Sequence, residues 1–318
     1  MITEVTILSG KGGTGKTSLT ASFAALAGRA VIADCDVDAA DLHLVLSPAV
    51  RERHAFRAGT EACIVEDRCS GCGICYSACR FDALQGYEPA DGGWKYRVDP
   101  WLCEGCGLCA LLCPKSAVQL EQPVCGEWFI SDTSFGPMVH ARLHPGRENS
   151  GKLVAEVRRA ARDIAGERDE RLILSDGPPG IGCPVIASLS GASLAVAVCE
   201  PTVSGEHDLK RVAGLARHFG LPVFVVMNRA DINREKAAEI RAAAEKEGAV
   251  WLGEIPFDPA VTRAQRKGLP VVQDGPRSAA GMAVREVWDM LSALLARQAP
   301  GAAPGCSPEA PQEKPERN

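Results

Sequence analysis

Eight of the fourteen cysteines have the number and spacing of iron–sulfur ligands. They form two runs of the same kind, in which three cysteines are spaced by two residues and a fourth follows after three more. The runs are Cys69, Cys72, Cys75 and Cys79, and then Cys103, Cys106, Cys109 and Cys113. Three thiolates at this spacing can wrap one cubane, while the fourth lies a turn further on and points the other way. The pattern therefore predicts two 4Fe–4S clusters.

Each cluster is expected to take three cysteines from one run and the last cysteine of the other. The two ligand sets are Cys69, Cys72, Cys75 and Cys113 for the first cluster, and Cys103, Cys106, Cys109 and Cys79 for the second. Zinc also binds thiolates and is the competing interpretation, but zinc sites rarely use an interlocked pair of four-cysteine runs. Pro114 follows the second run, whereas Arg80 stands at that place after the first. This difference removes a rigid turn but no ligand.

A glycine-rich stretch near the N-terminus has the residues of a phosphate-binding loop. It lies between a short apolar run, 5–8, and a run of small and apolar residues, 18–27, which predict a buried strand and a helix. The stretch is Gly10, Lys11, Gly12, Gly13, Thr14, Gly15, Lys16, Thr17 and Ser18. Glycines let successive backbone N–H groups point at one anion, and the helix adds its positive N-terminal end. We expect Lys16 to reach the terminal phosphates of ATP and the Thr17 hydroxyl to ligate Mg²⁺.

Two apolar strands end in aspartates that could complete this site. Residues 30–33 lead into Asp34 and Asp36, and residues 171–175 lead into Asp176. The carboxyl ends of parallel strands lie beside the nucleotide crevice of such folds. Asp176 has the Walker B arrangement and is expected to hold Mg²⁺ through its water shell, while Asp34 is expected to support the geometry of the loop and the metal. A set of surface aspartates in turns is the alternative.

The second lysine of the loop, Lys11, is not required by an ordinary P-loop. With it, the stretch resembles the deviant Walker A ATPases, the MinD/ParA/Mrp class that also includes the nitrogenase iron protein. The resemblance implies that Lys11 reaches across a dimer to the partner's nucleotide. It also implies that Asp36 orients the attacking water and assists the Mg²⁺ shell, and that Asn228 reads the adenine edge. A solvated Lys11 and a capping Asn228 are the alternatives.

The elements around these residues alternate between strand and helix. This alternation predicts an α/β fold with a mostly parallel sheet and helices on both faces. Further strands are expected at 127–131, 138–143, 193–198 and 222–227, and further helices at 41–50, 150–165, 204–219, 233–247, 258–267 and 278–296. Residues 51–58 are expected to form a polar connector.

The cysteine runs interrupt this alternation and predict a separate unit. The chain resembles MinD/Mrp-type P-loop ATPases that carry an inserted two-cluster ferredoxin domain of small α+β fold. The resemblance implies one ATPase domain in two parts, 1–60 and 121–297, with the ferredoxin-like insert, 61–120, between them. Residues 298–318 are rich in Pro, Gly, Ala and charge, which predicts a disordered tail.

Composition limits the partners of the chain. Its 318 residues have a formal net charge of −5, which argues against a broad nucleic-acid-binding face. No apolar run approaches the length of a membrane span, and no signal peptide precedes the first strand. The sequence therefore predicts a cytoplasmic protein without membrane insertion and without nucleic acid as a partner.

Together these features predict an ATP-binding and hydrolysing iron–sulfur protein. Nucleotide state would close a homodimer, or a heterodimer with a related ATPase, and alter the behaviour of the two clusters. In the leading hypothesis, ATP gates or senses electron transfer to a redox partner. One alternative is an iron–sulfur assembly protein that delivers clusters to acceptor proteins. Another is a MinD-like positioning switch with redox sensing.

Overall fold

The computed structural model describes residues 2–90, 92–147 and 150–298. The strands are β1 (Thr3–Ser9), β2 (Val31–Asp34), β3 (Ala49–Arg57), β4 (Glu61–Ile64), β5 (Leu84–Tyr87), β6 (Lys95–Val98), β7 (Val118–Glu121), β8 (Val124–Thr133), β9 (Gly136–Leu143), β10 (Leu172–Pro179), β11 (Leu194–Cys199), β12 (Val223–Asn228) and β13 (Val250–Ile255). The disordered tail predicted at 298–318 falls, apart from Gln298, outside the described residues.

Helices connect most of these strands. They are α1 (Lys16–Ala27), α2 (Leu42–Leu46), α3 (Ile74–Ala78), α4 (Leu108–Leu112), α5 (Ser150–Glu167), α6 (Cys183–Leu189), α7 (Val203–His218), α8 (Arg234–Lys246), α9 (Pro259–Arg266), α10 (Val271–Asp274) and α11 (Ala279–Gln298). Across the described ranges, none of them combines the length and the apolar character that crossing a bilayer requires.

Nine strands form one sheet in the order β13-β12-β11-β1-β10-β2-β9-β8-β3. The seven strands from β13 to β9 run parallel to one another, while β8 is antiparallel to both β9 and β3. The mostly parallel sheet predicted from the sequence is therefore confirmed. The carboxyl ends of β1, β2 and β10 lie side by side, which brings the loops after them to one edge of the sheet.

Side chains of the parallel strands alternate between two buried faces. On β11, Val196 packs in the core formed with α1 and α9–α11, while Ala197 packs in the core formed with α6–α8. Phe23 of α1 lies against Trp288 of α11, with ring centroids 5.1 Å apart. Because both faces are covered by helices, the inner strands are continuous apolar runs. The sequence could identify them for that reason.

The edge formed by β3 differs from the sequence-based expectation. A helix over 41–50 and a polar connector over 51–58 were predicted, but α2 ends at Leu46 and β3 then occupies 49–57. The expectation was wrong because β3 is an edge strand with mostly exposed, charged side chains. Its side chains pair across to β8, as in the Arg53–Glu127 ion pair at 3.5 Å and the stacking of His54 on Trp128.

The opposite edge holds a second difference. The sequence predicted two helices over 233–247 and 258–267 but no strand between them, whereas β13 occupies this gap and pairs in parallel with β12. Only part of β13 is buried, and Gly253 interrupts its apolar run. Edge strands of this kind lack the unbroken apolar run that marks the inner strands.

The cysteine-containing segment between β3 and β8 has its own small sheets. Strands β4 and β7 pair antiparallel, as do β5 and β6. Ile64 lies opposite Val118 in one sheet, and Leu84 lies opposite Val98 in the other. Adding 34 to the numbers of two of these residues (64 to 98, 84 to 118) gives the other two. The segment is therefore an internal repeat of 34 residues, which a comparison of the sequence with itself would have revealed.

This segment leaves the large sheet and returns to it at adjacent strands. Where β3 ends, the Ala58 N–H donates to the Pro123 carbonyl oxygen at 3.3 Å, and the Cys125 thiol donates to the Ala58 carbonyl oxygen at 3.2 Å. A side contact comes from the loop after β9, where Arg147 forms an ion pair with Glu61 at 3.0 Å. The segment thus joins the large sheet at the β3–β8 edge.

Candidate functional site

The glycine loop lies between β1 and α1 and wraps one end of a large cavity. Two of its glycines have left-handed backbone conformations, with φ of 78° at Gly13 and 92° at Gly15. At Gly15 a Cβ would also collide with the Asn228 amide. Glycine is needed at such positions because other residues adopt positive φ only at a cost. The chain can therefore turn tightly enough to begin α1 directly at Lys16.

The cavity encloses about 590 Å³, a size typical of small-molecule sites. Its lining comes from the glycine loop, from the loop after β2 and from the loop after β13. The predicted site residues in this lining are Gly12, Gly13, Thr14, Gly15, Lys16, Thr17, Ser18, Asp36 and Asn228. Gly10 and Lys11 belong to the same loop but lie outside the lining.

Lys16 is buried and is surrounded by carboxylates. Its Nζ lies 3.1 Å from Asp176 Oδ1 and 3.5 Å from Asp36 Oδ2. Burial lowers the pKa of Lys16, but the charges of Asp176, Asp36 and Asp34 outweigh this effect, so that the pKa is raised overall. The ammonium group therefore stays charged, and its present partners occupy the place that a phosphate oxygen could take.

The Asp176 carboxylate accepts hydrogen bonds from two threonine hydroxyl groups of α1. Thr17 Oγ1 donates to Asp176 Oδ2 at 2.7 Å, and Thr20 Oγ1 donates to Asp176 Oδ1 at 2.9 Å. Asp176 itself is buried in β10. A threonine hydroxyl and a carboxylate are hard oxygen donors, which is the chemistry that Mg²⁺ prefers. Thr17, which lines the cavity, and Asp176, which lies behind it and outside the lining, therefore offer donor atoms of the kind that a magnesium ion takes.

The two aspartates at the end of β2 and just after it, Asp34 and Asp36, have different surroundings. Asp34 is fully buried and accepts hydrogen bonds from the backbone N–H groups of Asp36 at 3.2 Å and Leu42 at 3.3 Å. Asp36 lines the cavity. Burial raises the pKa of Asp34 well above its usual range, with the Asp176 charge as the next cause. Burial also raises the pKa of Asp36, although Lys16 lowers it in part. Asp34 thus holds the loop that presents Asp36.

Lys11 is turned away from the cavity of its own chain. Its Nζ lies 3.2 Å from Glu200 Oε2 and donates to Ser204 Oγ at 3.4 Å. The side chain is 37% exposed. Glu200 also pairs with Arg229, so that one carboxylate after β11 holds two cations. In this state Lys11 is docked on its own chain.

Asn228 makes a contact that neither sequence-based interpretation anticipated. Its Nδ2 donates to the Thr14 carbonyl oxygen at 2.7 Å, and its Oδ1 accepts from the Arg229 backbone N–H at 3.0 Å. In this structure, it braces the glycine loop against the end of β12. The cavity lining also includes Phe257 and Gln265, which the sequence analysis missed. No motif marks them, and they follow the edge strand β13, which was not predicted.

The eight cysteines of the two runs lie around two separate small cavities. One is lined by Cys69, Cys72, Cys75 and Cys113, and the other by Cys79, Cys103, Cys106 and Cys109. These are the crossed sets expected from the spacing, because the 34-residue repeat places the last cysteine of each half beside the loop of the other. Backbone N–H groups donate to two of the sulfurs, from Ala117 to Cys113 at 3.2 Å and from Ala62 to Cys103 at 3.5 Å.

Neither set, all of whose cysteines lie within the described residues, forms an assembled metal site. Throughout 2–90, 92–147 and 150–298, no three His, Cys, Asp or Glu side chains are close enough to hold one metal ion.

Comparison with known proteins assigns the larger part of the chain to a family. The CobQ/CobB/MinD/ParA nucleotide binding domain matches residues 5–271. The chain belongs to this family. The resemblance to MinD and ParA proteins that the glycine loop suggested is confirmed at that level, and so is the P-loop NTPase fold.

Two relatives illustrate the range of this CobQ/CobB/MinD/ParA family. The uncharacterized protein MJ0578 of Methanocaldococcus jannaschii is 33% identical over 237 residues, which are 73% of this chain and 80% of that protein. The chloroplastic septum site-determining protein MinD homolog of Arabidopsis thaliana is 28% identical over 138 residues, 40% of this chain. This chain spans 42% of the length of the Arabidopsis protein.

Solved MinD structures share the fold. The cell division ATPase MinD of Pyrococcus furiosus has a TM-score of 0.57 and 20% identity, with 92% of this chain and all of that chain covered. MinD of Pyrococcus horikoshii, solved in complex with Mg-ADP, also has a TM-score of 0.57, with 19% identity and coverage of 94% and 100%. At this identity the likeness supports the fold alone.

Proposed function

We propose that this family member is an ATP-hydrolysing iron–sulfur protein. In this proposal, residues 61–120 form a ferredoxin-like insert with two 4Fe–4S clusters, and residues 1–60 and 121–297 form the ATPase. The observation that carries the proposal is the arrangement of eight cysteines around two cavities in crossed sets of four. Such crossing follows from the ligand spacing of two-cluster ferredoxins and has no use in a disulfide framework.

The chemistry of the donors also supports clusters. Each cavity offers four thiols and is bordered by apolar residues, among them Ile64 and Val118 at one and Phe81 and Leu84 at the other. When bound, such clusters supply one-electron transfer. The backbone N–H groups of Ala117 and Ala62 would stabilise the negative charge on their sulfurs.

The glycine loop supplies the groups for phosphoryl transfer. The loop amides and Lys16 would bind the phosphates, and Thr17 and Asp176 would hold Mg²⁺, which neutralises phosphate charge. When a phosphate pairs with Lys16, Asp36 loses the ion pair in which its Oδ2 lies 3.5 Å from Lys16 Nζ. Its carboxylate is then free to accept a hydrogen bond from the attacking water and to orient it.

Lys11 is proposed to complete the site of a second subunit. The dimer would be a homodimer or would include a related ATPase. In the docked state, Lys11 is held by Glu200 and Ser204. Closure of the dimer around nucleotide would release it toward the partner's phosphates. ATP can drive this closure only if it binds the closed arrangement more tightly than the open one.

The first experiment measures iron and ATP turnover on the same anaerobically reconstituted chain. We expect about eight iron atoms per chain, the content of two 4Fe–4S clusters. Cys72→Ser and Cys106→Ser should each remove about half of the iron, because each serine interrupts one set. Cys63→Ser is the matched control, since Cys63 is exposed in the same segment but lines neither cavity.

ATP hydrolysis is then compared between the oxidised and the dithionite-reduced protein, with the clusters followed by EPR. A rate that depends on the redox state supports coupling of the two sites. Stoichiometric zinc or an absence of iron would disprove the iron–sulfur proposal. Equal rates with intact clusters would disprove coupling within this chain, and transfer of iron to an apo-ferredoxin would then favour cluster delivery over electron transfer.

A further inference from the structure

The two halves of the cysteine-containing repeat carry opposite charges at equivalent places. Glu61 opens β4 and Lys95 opens β6, and their numbers differ by the repeat length of 34. The repeat also applies to the loops. Gly71 lies against the Trp94 carbonyl group as Gly105 lies against that of Thr60. Each of the two charged residues therefore stands beside the cysteine loop of the other half.

Lys95 places a positive charge on the loop of the first cysteine set. Its Nζ donates to the carbonyl oxygen of Cys69 at 2.7 Å and to that of Glu66 at 3.0 Å. The side chain is half-buried. In the described part of the chain, no carboxylate lies within 4.0 Å of this ammonium group. Its two hydrogen bonds thus direct the charge at the loop, and no described carboxylate forms an ion pair with it.

Glu61 places a negative charge beside the loop of the second set. The N–H of the next residue, Ala62, donates to Cys103 Sγ at 3.5 Å. The Glu61 carboxylate is half-buried and pairs with Arg147 at 3.0 Å. The Arg147 guanidinium also lies 5.5 Å from the centre of the Trp101 ring. Arg147 comes from the loop after β9, so the nucleotide-binding part of the chain supplies the counter-ion of this second site.

We infer that Lys95 and Glu61 hold the two proposed clusters at different reduction potentials. The inference rests on the proposed iron–sulfur function. An added electron is a negative charge, which a nearby cation stabilises and a nearby anion destabilises. The site of Cys69, Cys72, Cys75 and Cys113 therefore has the higher potential. Arg147 offsets Glu61 and keeps the potential of the other site from falling further.

Charges in the cavity walls act in the same direction. Lys115 lines the first cavity, whereas Glu104 lines the second. Arg80, which follows the last cysteine of the first run, has the opposite effect because Cys79 belongs to the second set. It is exposed and lines neither cavity, so water screens it more than it screens Lys95.

The electron balance of this arrangement is simple. Each site accepts one electron, and a one-electron donor of low potential is oxidised for each electron accepted. In the test this donor is the sulfur dioxide radical anion that forms from dithionite, and it ends as sulfite. The first electron resides at the Cys69 set. An electron that enters at the Cys103 set passes to the Cys69 set, which leaves the entry site oxidised again. The chain thereby gains a preferred direction of internal transfer.

The test is an EPR-monitored redox titration of the reconstituted full-length chain. The wild-type protein should show two midpoints. Lys95→Met removes the charge while keeping much of the side-chain volume. It should lower the equilibrium constant for reduction of the first site by about tenfold, which lowers the higher midpoint potential by about 59 mV for one electron. The lower midpoint potential should stay in place. Lys95→Arg is the matched control and should keep both midpoints.

Variants at the second site must move the other midpoint. Arg147→Met leaves Glu61 without its counter-ion and should lower the lower midpoint, while Glu61→Gln should raise it. The inference is overturned if Lys95→Met and Arg147→Met shift the same midpoint, or if both midpoints stay in place in every variant. If two clusters are present by iron content and EPR, such a result refutes the potential order alone. Absence of clusters refutes the proposed function instead.

Discussion

At the scale of single residues, the charged side chains of the nucleotide site neutralise one another. Lys16 is shared by Asp176 and Asp36, and Asp34 stays buried behind them with backbone N–H groups as its donors. A charged group in such surroundings remains stable only with its partners in place. In the proposed function, an arriving phosphate would therefore exchange one set of ion pairs for another. This exchange would give Asp36 a different environment before and after binding.

Asp36 should be needed for turnover but not for nucleotide binding. Asp36→Asn keeps the size of the side chain and replaces the charged carboxylate that we propose for orienting the attacking water with a neutral amide, which is a weaker acceptor. We expect ATP hydrolysis to fall by about 10²-fold or more, the scale on which positioned catalytic groups act. The affinity for ATP, measured by equilibrium dialysis, should change by less than about tenfold.

Asp38→Asn is the matched control for this substitution. Asp38 lies two residues further along the same loop and is exposed, so its variant should hydrolyse ATP at the wild-type rate. A normal rate in Asp36→Asn, or an equal loss in both variants, would contradict the assignment of the water-orienting role.

The sequence predicted the glycine loop and the charged residues of this site better than it predicted the residues that surround them. The glycine loop, Asp36 and Asp176 were found because glycine spacing and strand ends are local signals, and the structure brings them together. Phe257 and Gln265 were missed because their place in the cavity depends on where the chain runs after β13. The contact of Asn228 with Thr14 joins residues more than 200 positions apart, and no local pattern specifies it.

At the scale of elements, burial on one or two faces decided which strands could be predicted. The inner strands β1, β10, β11 and β12 are covered on both faces and read as apolar runs. The edge strands β3 and β13 are partly exposed, and their polar residues resemble connectors. The 34-residue repeat could also have been predicted from the sequence. Finding it requires an alignment of the two halves of the cysteine-containing segment.

The β8–β9 hairpin contains a buried histidine that should make stability depend on pH. His140 Nε2 lies 2.9 Å from Ser131 Oγ, and its ring stacks with that of His43 at a centroid distance of 6.2 Å. Burial, followed by the nearby His43 and Arg142 charges, lowers the pKa of His140 to about 4. The folded protein therefore keeps this ring neutral at pH values where the unfolded chain protonates it.

Since folding lowers the pKa of His140, the neutral ring makes its full contribution to the free energy of unfolding above pH 6.5. This contribution is lost as the pH falls toward 4, because the unfolded chain then binds a proton that the folded chain does not. The loss between pH 7 and pH 5 should be about 2 kcal/mol. Urea unfolding of the wild-type protein and of His140→Gln at both pH values measures it. Glutamine can still hydrogen-bond to Ser131, and its curve should be flatter by that amount. Identical pH dependence in the two proteins would show that the histidine does not titrate in this way.

At the scale of the whole molecule, the position of Lys11 makes a dimer part of the proposed mechanism. The side chain is docked on Glu200 of its own chain and faces away from its own cavity. Lys11→Ala should therefore bind ATP normally as a monomer and hydrolyse it at least tenfold more slowly, because no lysine reaches the partner's phosphates. The ATPase rate per chain of the wild-type protein should rise with protein concentration.

Lys210→Ala is the control for this loss of a lysine. Lys210 lies on α7 and pairs with Glu206 at the surface. Its removal should leave both the rate and its concentration dependence unchanged. A concentration-independent wild-type rate, or a fully active Lys11→Ala protein, would mean that each chain hydrolyses ATP alone.

The order of strands has a consequence for the chain as it leaves the ribosome. β1 pairs with β10 and β11. Val5, for example, gains its neighbours Leu174 and Leu194 only after these two strands have been synthesised. The four described strands of the cysteine-containing repeat form their ladders only with one another, and the last of them ends at Glu121. At about 5–20 residues per second, the 51 residues from Glu121 to Leu172 (172 − 121) take roughly 3–10 s to synthesise. During that interval all eight cysteines have been synthesised while the first strand still lacks both neighbours. The proposed clusters would therefore have a head start over closure of the large sheet.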